Sequence, residues 1–242
     1  MPAARTVKIG GASGFWGDAA LATPQLLAAG GLDFIVYDYL AEITMAILAR
    51  VRQADPAQGY ATDFVQAAMA PNLGEIARQG ARILSNAGGV NPEACAEALR
   101  AEIAKQGLDL KVAVVGGDDL MDRLGDIAAT APRDMFTGAV FPTTAKVGSL
   151  NVYLGAFPIA AALDRGADIV ITGRCVDSAV TLGACIHAFG WTPQDLDALA
   201  GGSLAGHILE CGPQATGGNF TDWEAVADRL EDIGYPIAEV SG

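Results

Sequence analysis

The stretch ADIVITGRCVDSA, residues 167–179, decides the fold. Its core, Ile169–Thr172, is β-branched without interruption. A strand that reads as a continuous run of this kind, instead of alternating with polar residues, is covered on both faces. Helical patterns flank it, Phe157–Arg165 before and Val176–Phe189 after. A strand between two helices is the unit of a parallel sheet, because a long crossover is needed to return the chain in the same direction.

Outward from this unit the alternation repeats. Strands are predicted at Val7–Ile9, Phe34–Tyr37, Ala81–Ser85 and Lys111–Val115, and helices at Glu42–Gln53, Phe64–Gln79 and Pro92–Gln106. Before the last helix Asn91 offers a cap, Pro92 suits the first turn, and Gly107 stops it. The pattern predicts an α/β fold: a mostly parallel central sheet with helices on both faces, a Rossmann-like three-layer architecture, as a single domain over residues 1–242. Residues 127–150 are less periodic and read as long connections. The final GYPIAEVSG, residues 234–242, reads as the beginning of a further strand.

Composition narrows the function. With 51% hydrophobic and 18% charged residues in 242, the chain is globular and long enough to bury a full core. A net charge of −13 disfavours nucleic acid, which is held largely by Lys and Arg. Cysteines 95, 175, 185 and 211 form no CxxC and no paired spacing, so free buried thiols are expected rather than disulfides or structural zinc. No run of 18 apolar residues and no export leader is present, and a cytoplasmic, membrane-free protein is expected.

In parallel sheets ligands sit beyond the carboxyl ends of the strands. The segments predicted there are GGASGFWGD, DYLAE, NAGG, GGDD and TGRCVDSA, all small or polar. The first has the spacing GxxGxxG through Gly11, Gly14 and Gly17, with Asp38 placed 21 residues later, as in a dinucleotide-binding turn. Two features disfavour NAD(P). Thr23-Pro24 puts the helix start after the motif instead of inside it, where it would meet a pyrophosphate. None of the five tyrosines is followed four residues on by Lys, as a short-chain dehydrogenase requires. The segment is therefore read as a cleft loop in which Gly11, Ser13 and Gly14 meet substrate, Phe15 and Trp16 cover its apolar part and Asp18 holds the loop closed; a loop plugged into the core explains Phe15 and Trp16 equally well.

Arg174, after Thr172 and Gly173, is the leading anion receptor. A planar guanidinium beside a helix N-terminus suits carboxylate or phosphate, although pairing with Asp177 explains the same letters. Glu210 and Asp38 are candidate proton carriers with Asp177 beside them; a solvent-facing loop and an N-cap are the plain alternatives for the first two. Asn86 in SNAGG and Gly217, Gly218 and Asn219 in ATGGNF are expected to line the cleft, Asn86 also being suited to a turn. His187 reads as a packed or surface residue, and His207, near Glu210, as better placed. Cys175 lacks a neighbour to lower its pKa. No metal ligands are assigned: Asp118 and Asp119 could hold Mg²⁺, but no spacing fixes a third ligand.

Six stretches in order carry a family resemblance: GGASGFWGD, DFIVYDYLAEITMAIL, ILSNAGGVNP, LGAFPIAAALDRGADIVITGRCVDSAVTLG, HILECGPQATGGNFTDW and GYPIAEVSG. Together they resemble the acyclic terpene utilisation family AtuA over essentially the whole chain. The resemblance implies the N-terminal part of a longer architecture and a place in the catabolism of citronellol- and geraniol-type acyl-CoA compounds and related branched acids. It also sets the functional expectation: an enzyme, of lyase or hydratase type, acting on an acyl-CoA or branched carboxylate, with no cofactor assigned. The alternative is a non-catalytic subunit that binds a ligand or assembles with a partner such as an acyl-CoA carboxylase. A small anionic substrate is the expected ligand. A homo-oligomer, or assembly with a C-terminal-half or other small partner chain, is the expected state.

Overall fold

The computed structural model describes residues 5–18 and 20–242. In chain order they form β1 (Thr6–Ser13), α1 (Ala22–Ala29), β2 (Phe34–Tyr37), α2 (Glu42–Ala54), α3 (Leu73–Gln79), β3 (Arg82–Ser85) and α4 (Pro92–Lys105). Then follow β4 (Val112–Val115), α5 (Leu124–Ala129), α6 (Phe157–Asp164), β5 (Ile169–Thr172), α7 (Ala179–Phe189), α8 (Leu196–Leu209) and β6 (Ile237–Ser241). One six-stranded sheet has the order β4-β5-β3-β2-β1-β6. β1 to β5 run parallel, and only the edge strand β6 is antiparallel, against β1.

Residue alternation sends each strand into two cores. Ile35 and Tyr37 of β2 face α1 to α4, while Phe34 and Val36 face α6, α7 and the end of α8. β5 does the same, with Ile169 and Ile171 on the first face and Val170 on the second. All three are fully buried, as a strand covered on both sides requires. Burying each such side chain stabilises the fold by roughly 1.5–3 kcal/mol, so the uninterrupted β-branched runs secure the middle of the sheet.

Several local expectations are corrected. β1 runs on through Gly10, Gly11 and Ala12 to Ser13, so the first half of the glycine-rich segment is strand and not loop. The helix expected over 64–79 breaks in two: a wide π turn covers Phe64–Met69, and α3 starts at Leu73. Pro71 lies between them and has no N–H for a continuous ladder. α7 begins at Ala179, three residues later than expected. Asn91 occupies the N-cap position of α4, but its side chain donates to the carbonyls of Pro56 and Gln58 instead of capping.

α8 was not foreseen, because LDALAGGSLAGHIL carries glycines that argue against a helix. Packing explains two of them. A Cβ at Gly206 would lie 2.7 Å from the Ser178 carbonyl oxygen, and one at Gly202 would lie 2.8 Å from Leu182 and Trp191. The small residues let α8 close on α7, and that contact aims the end of α8 at the carboxyl edge of the sheet.

Candidate functional site

Helices following β3 and β5 leave to opposite faces, α4 into one core and α7 into the other, although these strands are neighbours. That divergence marks a topological switch point beyond their carboxyl ends, the place where α/β sheets receive ligands. The loops after β2, β3 and β5 converge here. Asp38 leaves β2, Asn86 leaves β3 and Arg174 leaves β5; all three are buried. Asn86 donates to Asp38 Oδ1 at 2.6 Å and accepts the Tyr39 N–H at 2.7 Å, holding the carboxylate in place. The Leu40 N–H also reaches Asp38 Oδ1, at 3.3 Å, so Asp38 makes a local turn and does not cap α2, whose N-cap is Ala41. Ser13 donates its hydroxyl to the Asp38 carbonyl at 3.2 Å, tying β1 to the same corner.

Three carboxylates meet. One oxygen from each of Asp38, Asp177 and Glu210 lies within 4.8 Å of the other two. Asp38 is only 5% exposed, and burial is the main reason its pKa rises from 3.8 to about 7. The Asn86 hydrogen bond opposes this rise, while the charges of Asp177 and Glu210 add to it. Glu210 is also raised, first by burial and then by Asp177, with His207 pulling the other way from 3.0 Å. Like charges at this spacing cannot all ionise freely, so one or more members hold a proton or share a cation. Three carboxylate oxygens could contribute to a Mg²⁺ or Ca²⁺ shell.

Arg174 forms the wall beside them. Its side chain is 6% exposed; Nη1 donates to Asp177 Oδ1 at 2.8 Å and to the Cys175 carbonyl at 3.0 Å. Its guanidinium lies 4.2 Å from the centre of the Tyr153 ring, a cation–π contact. Asp118 fixes the backbone beneath it, accepting the Arg174 N–H at 2.8 Å and Asn151 Nδ2 at 2.9 Å through one oxygen. Gly173 is required here, since a Cβ would sit 2.4 Å from the Asp118 carboxylate. Asp119 turns away to the Met121 N–H and toward Arg52, so the adjacent Asp118 and Asp119 do not form a cation pair.

The anticipated residues divide. Asp38, Asp177, Glu210, Asn86 and Arg174 come together, with Ser13, Thr172 and Gly173 supporting them from beneath. Thr172 is buried and donates to the Gly173 carbonyl at 2.8 Å. Gly11 and Gly14 serve packing: a Cβ at either would strike a carbonyl oxygen, that of Leu209 at the end of α8 at 2.4 Å or that of Cys211 just after it at 2.7 Å. Asp18 accepts the Gly14 N–H at 3.0 Å and closes the segment as expected. Phe15 is half exposed, and Trp16 packs against the core. Gly217, Gly218 and Asn219 form an exposed turn in which Asn219 donates to Gln214 Oε1 at 2.9 Å.

Cys175 is buried, with its thiol pushed up to about 12 by burial. His187 bridges Asp164 and Arg82 at 2.5 and 2.7 Å, a structural link between α7, α6 and β3. The sequence did not signal Tyr153 and Glu42 as partners of Arg174. They stand 111 residues apart, and Tyr153 falls just past the aperiodic segment.

A hollow of about 190 Å³ near Asn91 also carries acids and a cation, Glu93, Asp118, Asp119 and Arg52. The groove between β4 and α6, about 570 Å³, is lined by Val112, Val114, Ala161 and Ala162 with Lys111 and Arg165 at its rim, and has no convergent acid or base. α1 starts at Ala22, after the glycine motif, so no helix N-terminus lies inside it to meet a pyrophosphate. No helix among the described residues is long and apolar enough to cross a membrane.

The mostly parallel sheet with helices on both faces is an α/β domain of the doubly wound kind, and its switch point carries three carboxylates and a buried guanidinium. The chain belongs to the acyclic terpene utilisation family AtuA, whose model matches residues 7–242. No curated protein and no solved structure matches it.

Proposed function

We propose that this domain is an enzyme of lyase or hydratase type that moves a proton on a branched carboxylate or its acyl-CoA. Its setting is acyclic terpene or related branched-acid degradation, as membership of the family suggests. The observation that carries the reading is the meeting of Asp38, Asp177 and Glu210 beside Arg174. Addition or removal of water next to a carbonyl needs a group that takes a proton from carbon or water and one that returns it. It also needs positive charge near the developing enolate or carboxylate.

Asp38, with a pKa of about 7, is matched to both giving and taking a proton at neutral pH. Glu210 stands in a different environment, partly open and next to His207, so the two acids are set to different tasks. Arg174 is held by Asp177 and by its own backbone anchor on Asp118, and so offers a fixed positive wall to an anion.

The test is deuterium wash-in at the α-carbon, followed by proton NMR, for 3-methylbutanoate and 3-methylbutanoyl-CoA. Wild-type protein is expected to exchange at least one of them, and Asp38→Asn and Glu210→Gln to lose exchange by roughly 10²-fold or more while keeping their fold. Wild-type protein that exchanges neither compound, or variants that exchange as fast as wild type, would overturn the reading.

A further inference from the structure

Arg174 is nine-tenths buried, yet its hydrogen bonds are concentrated on one side. Nη1 serves Asp177 and the Cys175 carbonyl, whereas Nη2 has Glu42 Oε1 at 3.6 Å, an ion pair beyond hydrogen-bond length. Glu42 is the first residue of α2, and its side chain is 80% exposed. It accepts a hydrogen bond from the Tyr153 hydroxyl, while the Tyr153 ring covers the guanidinium. One carboxylate thus stands beside a guanidinium nitrogen, a phenol that donates to it and the N-terminal end of a 13-residue helix. The receptor is built from a buried cation, but the group now in it is a flexible side chain reaching in from solvent.

We propose that the Glu42 carboxylate keeps the place of a substrate carboxylate, which displaces it and binds between Arg174 Nη2 and the Tyr153 hydroxyl. The proposal rests on the proton-transfer reading above and deepens it: the ligand's anchored end is a free carboxylate, not a thioester. Charge balance supports this choice. Exchanging one carboxylate for another keeps Arg174 neutralised, and the released Glu42 is solvated in water. A neutral thioester or amide in the same place would leave the buried Nη2 side without its carboxylate, with Asp177 alone pairing the guanidinium from Nη1, and burial makes that costly. The position also suits the chemistry, because Arg174 joins this receptor directly to Asp177 and through it to Asp38 and Glu210. Glu42 and Tyr153 together thus set specificity, the first as an internal competitor and the second as a donor.

The test is isothermal titration of wild type, Glu42→Gln and Tyr153→Phe with 3-methylbutanoate and with its neutral analogue 3-methylbutanamide. Removing the competitor is expected to tighten 3-methylbutanoate roughly three- to tenfold, since more of the protein is then competent to bind. Tyr153→Phe is expected to weaken it by about tenfold or more through loss of one hydrogen bond to a charged acceptor. The amide is expected to bind none of the three detectably. Equal affinity for the acid in wild type and Glu42→Gln, weaker binding in Glu42→Gln, amide binding as tight as acid binding, or no binding of the acid at all would each overturn the proposal. Such a result leaves the deuterium exchange of wild type and its loss in Asp38→Asn untouched, so the two failures are separable. Glu42 is exposed, and its replacement leaves the core intact, which a melting curve checks.

Discussion

Replacing Asp38 by Asn should make the protein more stable at alkaline pH and no more stable at acid pH. Asp38 is an acid whose proton is held to about 7 in the folded chain against 3.8 ordinarily, with burial as the first cause. Between those values the folded state binds a proton that the unfolded chain has lost. Stability is therefore fully present below about pH 3.8 and is lost as pH rises through about 7. The separation corresponds to about 4 kcal/mol at 1.36 kcal/mol per tenfold in acidity. Even half of this, about 2 kcal/mol, moves Tm by roughly 4–8 °C in a domain of this size. Asn keeps an oxygen for the Asn86 amide and the Leu40 N–H, and its own amide can donate toward Glu210 or Asp177. The assay is thermal melting of wild type and Asp38→Asn from pH 4 to 9. The gain in Tm should be near zero at pH 4, grow through pH 6 and 7, and level off by pH 8.5. A difference independent of pH, or a variant less stable than wild type at pH 8.5, would refute the assignment of Asp38 as a buried proton holder.

Two further expectations concern packing and thiols. Gly11→Ala places a methyl group against the Leu209 carbonyl, 2.4 Å away, and should lower stability by about 1–3 kcal/mol, read as a falling Tm; an unchanged Tm would mean that the end of α8 is not seated on β1 as described. Cys95, Cys175 and Cys185 are buried with thiols pushed up to about 12, so native protein at pH 8 should react with a thiol reagent at Cys211 alone, and at all four after denaturation.

The parallel sheet was legible because β5 and β2 are unbroken apolar runs, and runs of that kind need two covering layers whatever else the chain does. Turn and cap details were less so. The expected cap of α4 by Asn91 fails because two carbonyls near residue 57 compete for its amide, a tertiary fact with no local signature. Glycines misled in both directions. At Gly11 and Gly14 they suggested a ligand cradle but admit the end of α8 and the turn just after it, and in α8 they hid a helix that needs them to approach α7. Within the site, Asp38, Asp177 and Glu210 were legible as separate strand-end or loop acids. Their meeting depends on the order of β2, β3 and β5 and on the reach of α8, and no spacing encodes that.

Charge at the site then follows from which acids have a cation. Arg174 can neutralise one carboxylate at short range, and Asp177 holds that position at 2.8 Å; Glu42 is the second claimant, at 3.6 Å. Asp38 has only the Asn86 amide and one backbone N–H, both neutral donors that cannot offset burial. The proton therefore settles on the acid that has burial and neutral donors around it and no cation. An anion arriving at Arg174 from the Glu42 side leaves this division intact, since it replaces a charge already counted, whereas one inserted among the three acids would have to displace a proton or carry a cation with it. On the proposed function, the site admits negative charge on one side of Arg174 and moves protons on the other, and that asymmetry, more than any single acid, is what a substrate with one carboxylate and one reactive carbon would use.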